Sequence, residues 1–295
     1  MNQLIVHCPA KVNLTLGIQG KRLDGYHELE TIMQSISLED TLYLSSEGTG
    51  ISLVADYPGL PVGEDNLIYR AAVLLRDYAG ANKGVRITLK KQIPLAAGLA
   101  GGSTDAAGTL RALNRLWGLG LTAPELEELG SQLGSDVPFC LRGGTALARG
   151  RGEKLTFLEG PGDWWLTLVK IPVSISTAAV YHSFRLEAVT QQPDQEAMLD
   201  AIRKDRLKEA GLNLVNVLET VTIPWYPEIG AVRAEMVERG AIGALMSGSG
   251  PTVFGLVADR AEAIRLAAAF RDRYREVYVV RTLSNIGDNL SMISL

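Results

Sequence analysis

The sequence predicts an α+β fold in two packed domains, and three features point to it. The first ninety residues are mostly strand-like, a small-residue loop over 94–105 runs directly into a helical pattern, and the second half alternates helices with short apolar strands. At 295 residues the chain exceeds the usual size of one core, and 46% hydrophobic with 21% charged residues is ordinary for a globular protein.

Turn-bounded, β-rich runs at 4–8, 12–17, 41–45, 51–55 and 85–89 predict strands. Between the last two, Leu67, Ala71, Leu74, Leu75 and Tyr78 recur at helical spacing, which predicts a helix over 66–78 with Asp65 as N-cap. After the loop, Ala106, Leu110, Leu113 and Trp117 mark one face of a helix that stops near Gly118. Thr122, Pro124 and Glu125 read as a capping box with an early proline, opening a second helix that closes at Gly134.

Residues 143–152, rich in Gly and Arg, read as a connection, and 164–173 as the apolar strand that starts the second domain, giving domains 1–160 and 161–295. Helices near 177–186, 195–209, 227–239 and 261–274 then alternate with strands at 242–247, 252–257 and 277–282. This order implies antiparallel strands with helices on one face. The uncharged run 240–258 has membrane-like length, but Ser247, Gly248, Ser249, Gly250 and Pro251 split it into a hairpin.

A net charge of −4, with Lys and Arg scattered, argues against a surface that coats nucleic acid, so an anionic ligand must be held locally. Cys8 and Cys140 stand far apart without metal or redox spacing and read as buried free thiols. The N-terminus has neither a basic start nor a sustained apolar stretch, so a cytoplasmic location without membrane attachment is expected.

The strongest chemical signal is the run from Pro94 to Asp105, in which nearly every side chain is small and a helix follows at once. Backbone N–H groups, a helix N-terminus and the hydroxyls of Ser103 and Thr104 together suit a di- or triphosphate. No Lys-Ser/Thr follows the glycines, so this is not a Walker loop, and glycine content alone fits a flexible turn equally well. Lys11 and Asn13 project from one face of an otherwise apolar strand, although an isolated strand lysine is more often solvated at an edge. Tyr26 and His27 place an aromatic plate beside an imidazole, a pair that alone reads more readily as a half-buried loop aromatic with a surface histidine. Asp136 sits between a helix stop and Pro138, where a general base or a simple N-cap fits equally. The small-residue stretch 243–252 reads by itself as a tight turn between strands.

Taken in order, PAKVNLTL, GLAGGSTDAA, GSDVPF and MSGSGPTVF resemble the GHMP small-molecule kinase superfamily over essentially the whole chain. KRLDGYHELETIMQSISLED, IPLAAGLAGGSTDAAGTLRALN and GSDVPFCLRGGTALARGRGEKL resemble, within it, the branch whose acceptor is a methylated erythritol bearing cytidine diphosphate. The resemblance implies an N-terminal domain of ribosomal-protein-S5-like topology and a ferredoxin-like C-terminal domain, with ATP and a small-molecule substrate meeting in the cleft between them. It implies Asp136 as catalytic base and Lys11 as its charged partner. Asn13, Tyr26 and His27 match substrate-binding positions, Tyr26 stacking on cytosine and His27 reading its polar edge, and Tyr181 matches a second aromatic plate.

The same resemblance makes Pro94, Ala96, Ala97, Gly98, Leu99, Ala100, Gly101, Gly102, Ser103 and Thr104 the phosphate loop, and brings Asn66 and Lys91 toward the nucleoside of ATP. Alanine at 97 and 100, in place of glycine, is expected to alter loop stiffness without losing binding. Mg2+ is expected with ATP, but no carboxylate spacing marks its ligand. The expected state is a monomer or weak homodimer. Two other readings are a kinase for mevalonate, homoserine or a sugar, and a non-catalytic ligand-binding regulator. Tyr181 and the GYHELET segment favour a substrate with a base to sandwich, and Lys11 with Asp136 has no evident use in a pure binder.

Overall fold

A computed structural model describes residues 2–80, 83–284 and 290–294. The first half comprises β1 (Asn2–Lys21), β2 (His27–Ser46), β3 (Ile51–Ala55), α1 (Leu67–Tyr78), β4 (Val85–Lys90), α2 (Gly101–Trp117), α3 (Ala123–Ser131), α4 (Val137–Arg142), β5 (Thr145–Gly150) and β6 (Lys154–Leu158). The second half comprises β7 (Trp165–Lys170), α5 (Thr177–Ser183), α6 (Gln195–Arg203), α7 (Leu207–Leu212), β8 (Val215–Asn216) and α8 (Glu219–Trp225). It continues with α9 (Pro227–Glu238), β9 (Gly243–Met246), β10 (Thr252–Val257), α10 (Arg260–Arg271), β11 (Glu276–Arg281) and β12 (Leu290–Ser294). Residues 285–289 and 295 of the expected second domain lie outside the described residues.

Two mixed helix-and-sheet halves result. One sheet runs β12-β1-β2-β4-β3, with β5 on β2, β6 on β5 and β8 on β1; the other runs β11-β7-β10-β9. The sheets part between β6 and β7, but β8 and β12 return from the second half to pair with β1. Most pairs are antiparallel, as expected, whereas β3–β4 and β1–β8 are parallel.

Three packed cores follow from strand alternation. Leu4, Val6 and Cys8 of β1 pack under α1 and α2, Ala10, Val12 and Leu14 face a second core between the sheets, and Leu16 and Ile18 reach a third. On β10, Phe254 and Leu256 enter the second core while Val253 and Val257 enter the third, so a strand covered on both faces reads as one apolar run. Lys11, Asn13 and Thr15 occupy the opposite parity of β1 and are buried polar residues. Lys11 pairs with Ser35 of β2, donates its N–H to the Leu99 carbonyl on the other side and is buried, so it does not stand at a solvated edge.

Several elements differ from the sequence expectation for identifiable reasons. The runs 4–8 and 12–17 are one strand, whose register against β2 shifts between Pro9 and Lys11, between Asn13 and Thr15 and between Ile18 and Gly20. β2 starts at His27 rather than 41, because its central position buries Thr31, Gln34, Ser35 and Asp40 and erases the polar-out alternation. The Gly- and Arg-rich 143–152 is not a loop: Thr145–Gly150 pairs along β2. The helix at 195–209 breaks into α6 and α7 around Asp205, whose φ is 51°. Asn66, not Asp65, caps α1, its side chain accepting from the Ile68 N–H. α3 ends at Ser131, before Gly134, and α8 had no sequence counterpart.

Gly108 of α2 lies against β1, where an added Cβ would meet Cys8 Sγ at 2.4 Å. Gly108→Ala should therefore destabilise the fold by about 1–3 kcal/mol despite alanine's better helix propensity. Adding Cys8→Ala, which removes the sulfur, should restore part of the loss in denaturant titrations; an additive double variant would refute this contact as the cause.

Candidate active site

The small-residue loop adopts a conformation that few sequences tolerate. Ala96, Gly98 and Ala100 have φ of 48°, 74° and 57°, so left-handed residues recur at alternate positions. Alternation of this kind turns backbone N–H groups toward one concavity, an anion-binding nest. Ala100 is also the N-cap of α2 and has no side chain able to cover the first N–H groups of the helix. These donors face a cleft of about 1290 Å3. Pro94, Ala96, Ala97, Gly98, Ala100, Gly101, Gly102 and Ser103 line that cleft, but Leu99 and Thr104 are buried outside its lining. Leu99 contributes its carbonyl, which accepts from the Lys11 N–H at 3.1 Å and ties the loop to β1.

On the wall of the same cleft, Lys11 Nζ donates to Asn13 Oδ1 at 2.7 Å and lies 3.4 Å from Asp136 Oδ2. Asn13 Nδ2 in turn donates to Thr31 Oγ1 at 2.8 Å, and Thr31 to the Thr15 carbonyl, so the lysine head is fixed from behind. Asp136 stands at the N-cap position of α4 but makes no side-chain capping bond. The plainer capping role therefore lapses. Its side chain is about one-third exposed, toward the cleft, while that of Lys11 is buried.

The other end of the cleft is aromatic. The His27 ring lies 5.7 Å from Tyr181 and 5.8 Å, edge-on, from Phe184. Burial, with the nearby Lys21 charge, holds the His27 imidazole below its ordinary value, which favours the neutral ring with one donor and one acceptor. Burial and the Asp136 carboxylate push the Tyr181 phenol up, so it stays protonated. Tyr26 lies at the mouth, half exposed, with the Arg151 guanidinium 5.0 Å above its ring.

Lys91 reaches the cleft from the end of β4, but its ammonium is bound by two carboxyl groups, those of Asp40 and Asp105, the latter at 2.8 Å. Asp40 also accepts from the N–H groups of Gln92 and Ile93, which orients the entry to the loop. Asp105 Oδ1 has no hydrogen-bond partner among the described residues. Burial pushes the Asp105 carboxyl up to about 8, Asp40 adding to the shift and Lys91 opposing it. Asn66 does not line the cleft; its amide is spent on the Ile68 N–H and the Pro61 carbonyl.

The Asp105 shift has a sign that can be tested. Its folded-state value lies above the unfolded value of about 4, so between about pH 4 and 8 the native state keeps a proton that the unfolded chain has lost. Asp105 thus lowers stability as pH rises through that window. Asp105→Asn should flatten the fall in melting temperature between pH 5 and 8 relative to the parent chain; an unchanged slope would contradict the assignment.

Phe184, Thr177 and Arg151 also line the cleft and were not singled out by sequence reasoning, and Ser249 lines it too, having been read only as part of the 243–252 stretch. Thr177 and Ser249 bond each other at 2.8 Å, joining α5 to the 247–250 turn. The signal for Phe184 lay in its spacing from Tyr181 and that for Arg151 in the arginines of the 143–152 run. Among the described residues no group of three or more His, Cys, Asp or Glu side chains could hold a metal ion, and no helix is long and apolar enough to cross a membrane. Cys8 and Cys140 are buried free thiols, as expected.

One cleft thus joins a small-residue loop at the start of α2 to a buried Lys11 and a partly exposed Asp136, and the chain that carries it is a small-molecule kinase of the GHMP class. The family descriptions "GHMP kinases N terminal domain" and "GHMP kinases C terminal" match residues 66–144 and 198–276. The 4-diphosphocytidyl-2-C-methyl-D-erythritol kinase of Pelotomaculum thermopropionicum is 50% identical over 93% of this chain and 96% of its own. That of Exiguobacterium sibiricum is 48% identical over 95% and 98%. A crystal structure of 4-(cytidine 5'-diphospho)-2C-methyl-D-erythritol kinase superposes with a TM-score of 0.81 at 37% identity, covering 96% of this chain and 99% of that one. Homoserine kinase from Cytophaga hutchinsonii, at 20% identity and a TM-score of 0.78, shares the fold. The chain belongs to the 4-diphosphocytidyl-2-C-methyl-D-erythritol kinase family of ATP-dependent GHMP kinases.

Proposed function

We propose that this chain transfers the γ-phosphoryl group of ATP to the 2-hydroxyl of 4-diphosphocytidyl-2-C-methyl-D-erythritol, a step of non-mevalonate isoprenoid precursor synthesis, and works in the cytoplasm. The observation that carries the reading is the Lys11–Asp136 contact at 3.4 Å, in a cleft that has a phosphate loop on one side and the His27–Tyr181–Phe184 cluster on the other.

ATP lays its phosphates along the nest of 96–103 and the open N-terminus of α2, which supply the donors. The cytidine ring enters the aromatic end, where neutral His27 presents both a donor and an acceptor to its polar edge and Tyr181 and Tyr26 offer faces to stack on. This seating brings the acceptor hydroxyl to Asp136. The Asp136 carboxylate takes the hydroxyl proton as the oxygen attacks phosphorus in line, and the β–γ bond breaks to release ADP. Lys11, held by Asn13, offsets the negative charge that gathers between carboxylate and phosphoryl oxygens. Orientation matters more than basicity here, because in a loose transition state the proton leaves late. Mg2+ arriving with ATP would supply neutralisation of the transferring phosphates.

The test is ADP release from Mg-ATP in parallel with the cytidylyl substrate, mevalonate, homoserine and galactose. Turnover with the cytidylyl substrate alone supports the reading. Turnover with another alcohol keeps the kinase and discards the substrate, and silence with all four favours a non-catalytic binder.

A further inference from the structure

We infer that Asn216 is a positioning residue for ATP, acting through the 247–250 turn. This rests on the reading of the 94–104 loop as the ATP site. Asn216 lies on the two-residue strand β8, beside Leu16 of β1, and is 3% exposed. Its amide is committed in three directions: Nδ2 donates to the carbonyls of Met246 at 2.8 Å and Gly248 at 2.7 Å, and Oδ1 accepts from the Leu218 N–H at 3.0 Å. Both hydrogens of one buried amide therefore clamp the two ends of the entry to the turn. Glu219, three residues on, accepts from the Met246 N–H at 3.0 Å and closes the same clamp from the other side.

The turn so held is the back wall of the phosphate loop. Ser247 Oγ donates to the Gly98 carbonyl at 2.9 Å, and the Ser247 carbonyl stands where a Cβ on Gly98 would come within 2.3 Å. A Cβ on Gly248 would meet the Gly98 carbonyl at 3.3 Å and Asn13 Oδ1 at 3.6 Å. Gly98 is the central left-handed residue of the nest, so its carbonyl fixes the plane of the peptide that follows and the direction of the next N–H. A buried amide without a cleft contact of its own thus sets the loop that binds phosphate. An asparagine suits the task because only a primary amide offers two donors and an acceptor from one short, uncharged side chain.

Asn216→Ser and Asn216→Asp remove one or both donors while leaving an oxygen for Leu218. The readout is affinity for a non-hydrolysable ATP analogue by calorimetry, together with thermal melts and KM for the acceptor. Analogue affinity does not depend on which alcohol receives the phosphoryl group, so a wrong substrate assignment would leave this test intact. The expected result is a loss of analogue affinity of about tenfold, from one or two buried hydrogen bonds. Melts should remain cooperative, and KM for the cytidylyl acceptor should stay within about twofold. Ser247→Ala should weaken the analogue in the same direction, and pairing it with Asn216→Ser should cost less than the sum of the two. Full analogue affinity in a folded Asn216 variant, additivity with Ser247→Ala, or loss of the fold in both Asn216 variants would overturn the proposal.

Discussion

Asp136→Asn should lower kcat by about three orders of magnitude while leaving the affinities for ATP and for the acceptor within about twofold. The variant keeps the size of the side chain and an oxygen for Lys11 Nζ, which lies 3.4 Å from Asp136 Oδ2, but an amide cannot take the hydroxyl proton. Folding should change little. Asp136 makes no capping bond to α4 despite standing at its N-cap, so the substitution removes no helix-start donor pairing. Single-turnover kinetics with isothermal binding would separate the two effects. Parallel loss of binding and turnover would make Asp136 a structural residue and return the base assignment to open ground.

The second large effect is expected at Gly98. Its φ of 74° alone would be tolerable, since Ala96 and Ala100 already hold left-handed backbones at 48° and 57°. The contact is what forbids a side chain: a Cβ would stand 2.3 Å from the Ser247 carbonyl and 3.1 Å from that of Gly250, both backbone atoms without rotamers to move. Gly98→Ala should push the phosphate loop off the 247–250 turn at a cost of about 2–3 kcal/mol, read as about a hundredfold in ATP affinity. Gly102→Ala makes the matched control. Its Cβ would meet only the Leu67 Cδ1 side-chain tip, at 3.4 Å, so a smaller loss is expected. Equal affinities in the two variants would show that the turn does not brace the loop.

These contacts mark the boundary of what the sequence makes legible. The 94–105 loop is legible because its signals are local: small residues, two hydroxyls and a helix start lie within one short run. Helical faces are legible for the same reason, and Ala106, Leu110, Leu113 and Trp117 are all buried. The Lys11–Asp136 pair is different. Lys11 alone favours a solvated strand lysine and Asp136 alone fits a helix cap as well as a base, and only the order of motifs linked them before the fold brought them together.

Tertiary structure also takes over side chains in ways that a short run does not show. Asn66, which the resemblance brings toward the nucleoside of ATP, spends its amide on the start of α1. Lys91, brought there by the same resemblance, lines the cleft with its ammonium held by Asp40 and by Asp105 of α2. Central strands hide as well, because β2 buries Thr31, Gln34, Ser35 and Asp40 in hydrogen bonds that a period-two pattern counts as solvent-facing. Asn216 could not be found from its own neighbourhood, since its partners Met246 and Gly248 lie on a distant hairpin.

The most direct measurement is the position of the new phosphate in the product formed from 4-diphosphocytidyl-2-C-methyl-D-erythritol and Mg-ATP, followed by phosphorus NMR with ADP counted alongside. One ADP per acceptor consumed, with the phosphate on the carbon-2 oxygen, is the predicted result. ADP without a phosphorylated acceptor, or a phosphate on another hydroxyl, would contradict the placement of that hydroxyl at Asp136.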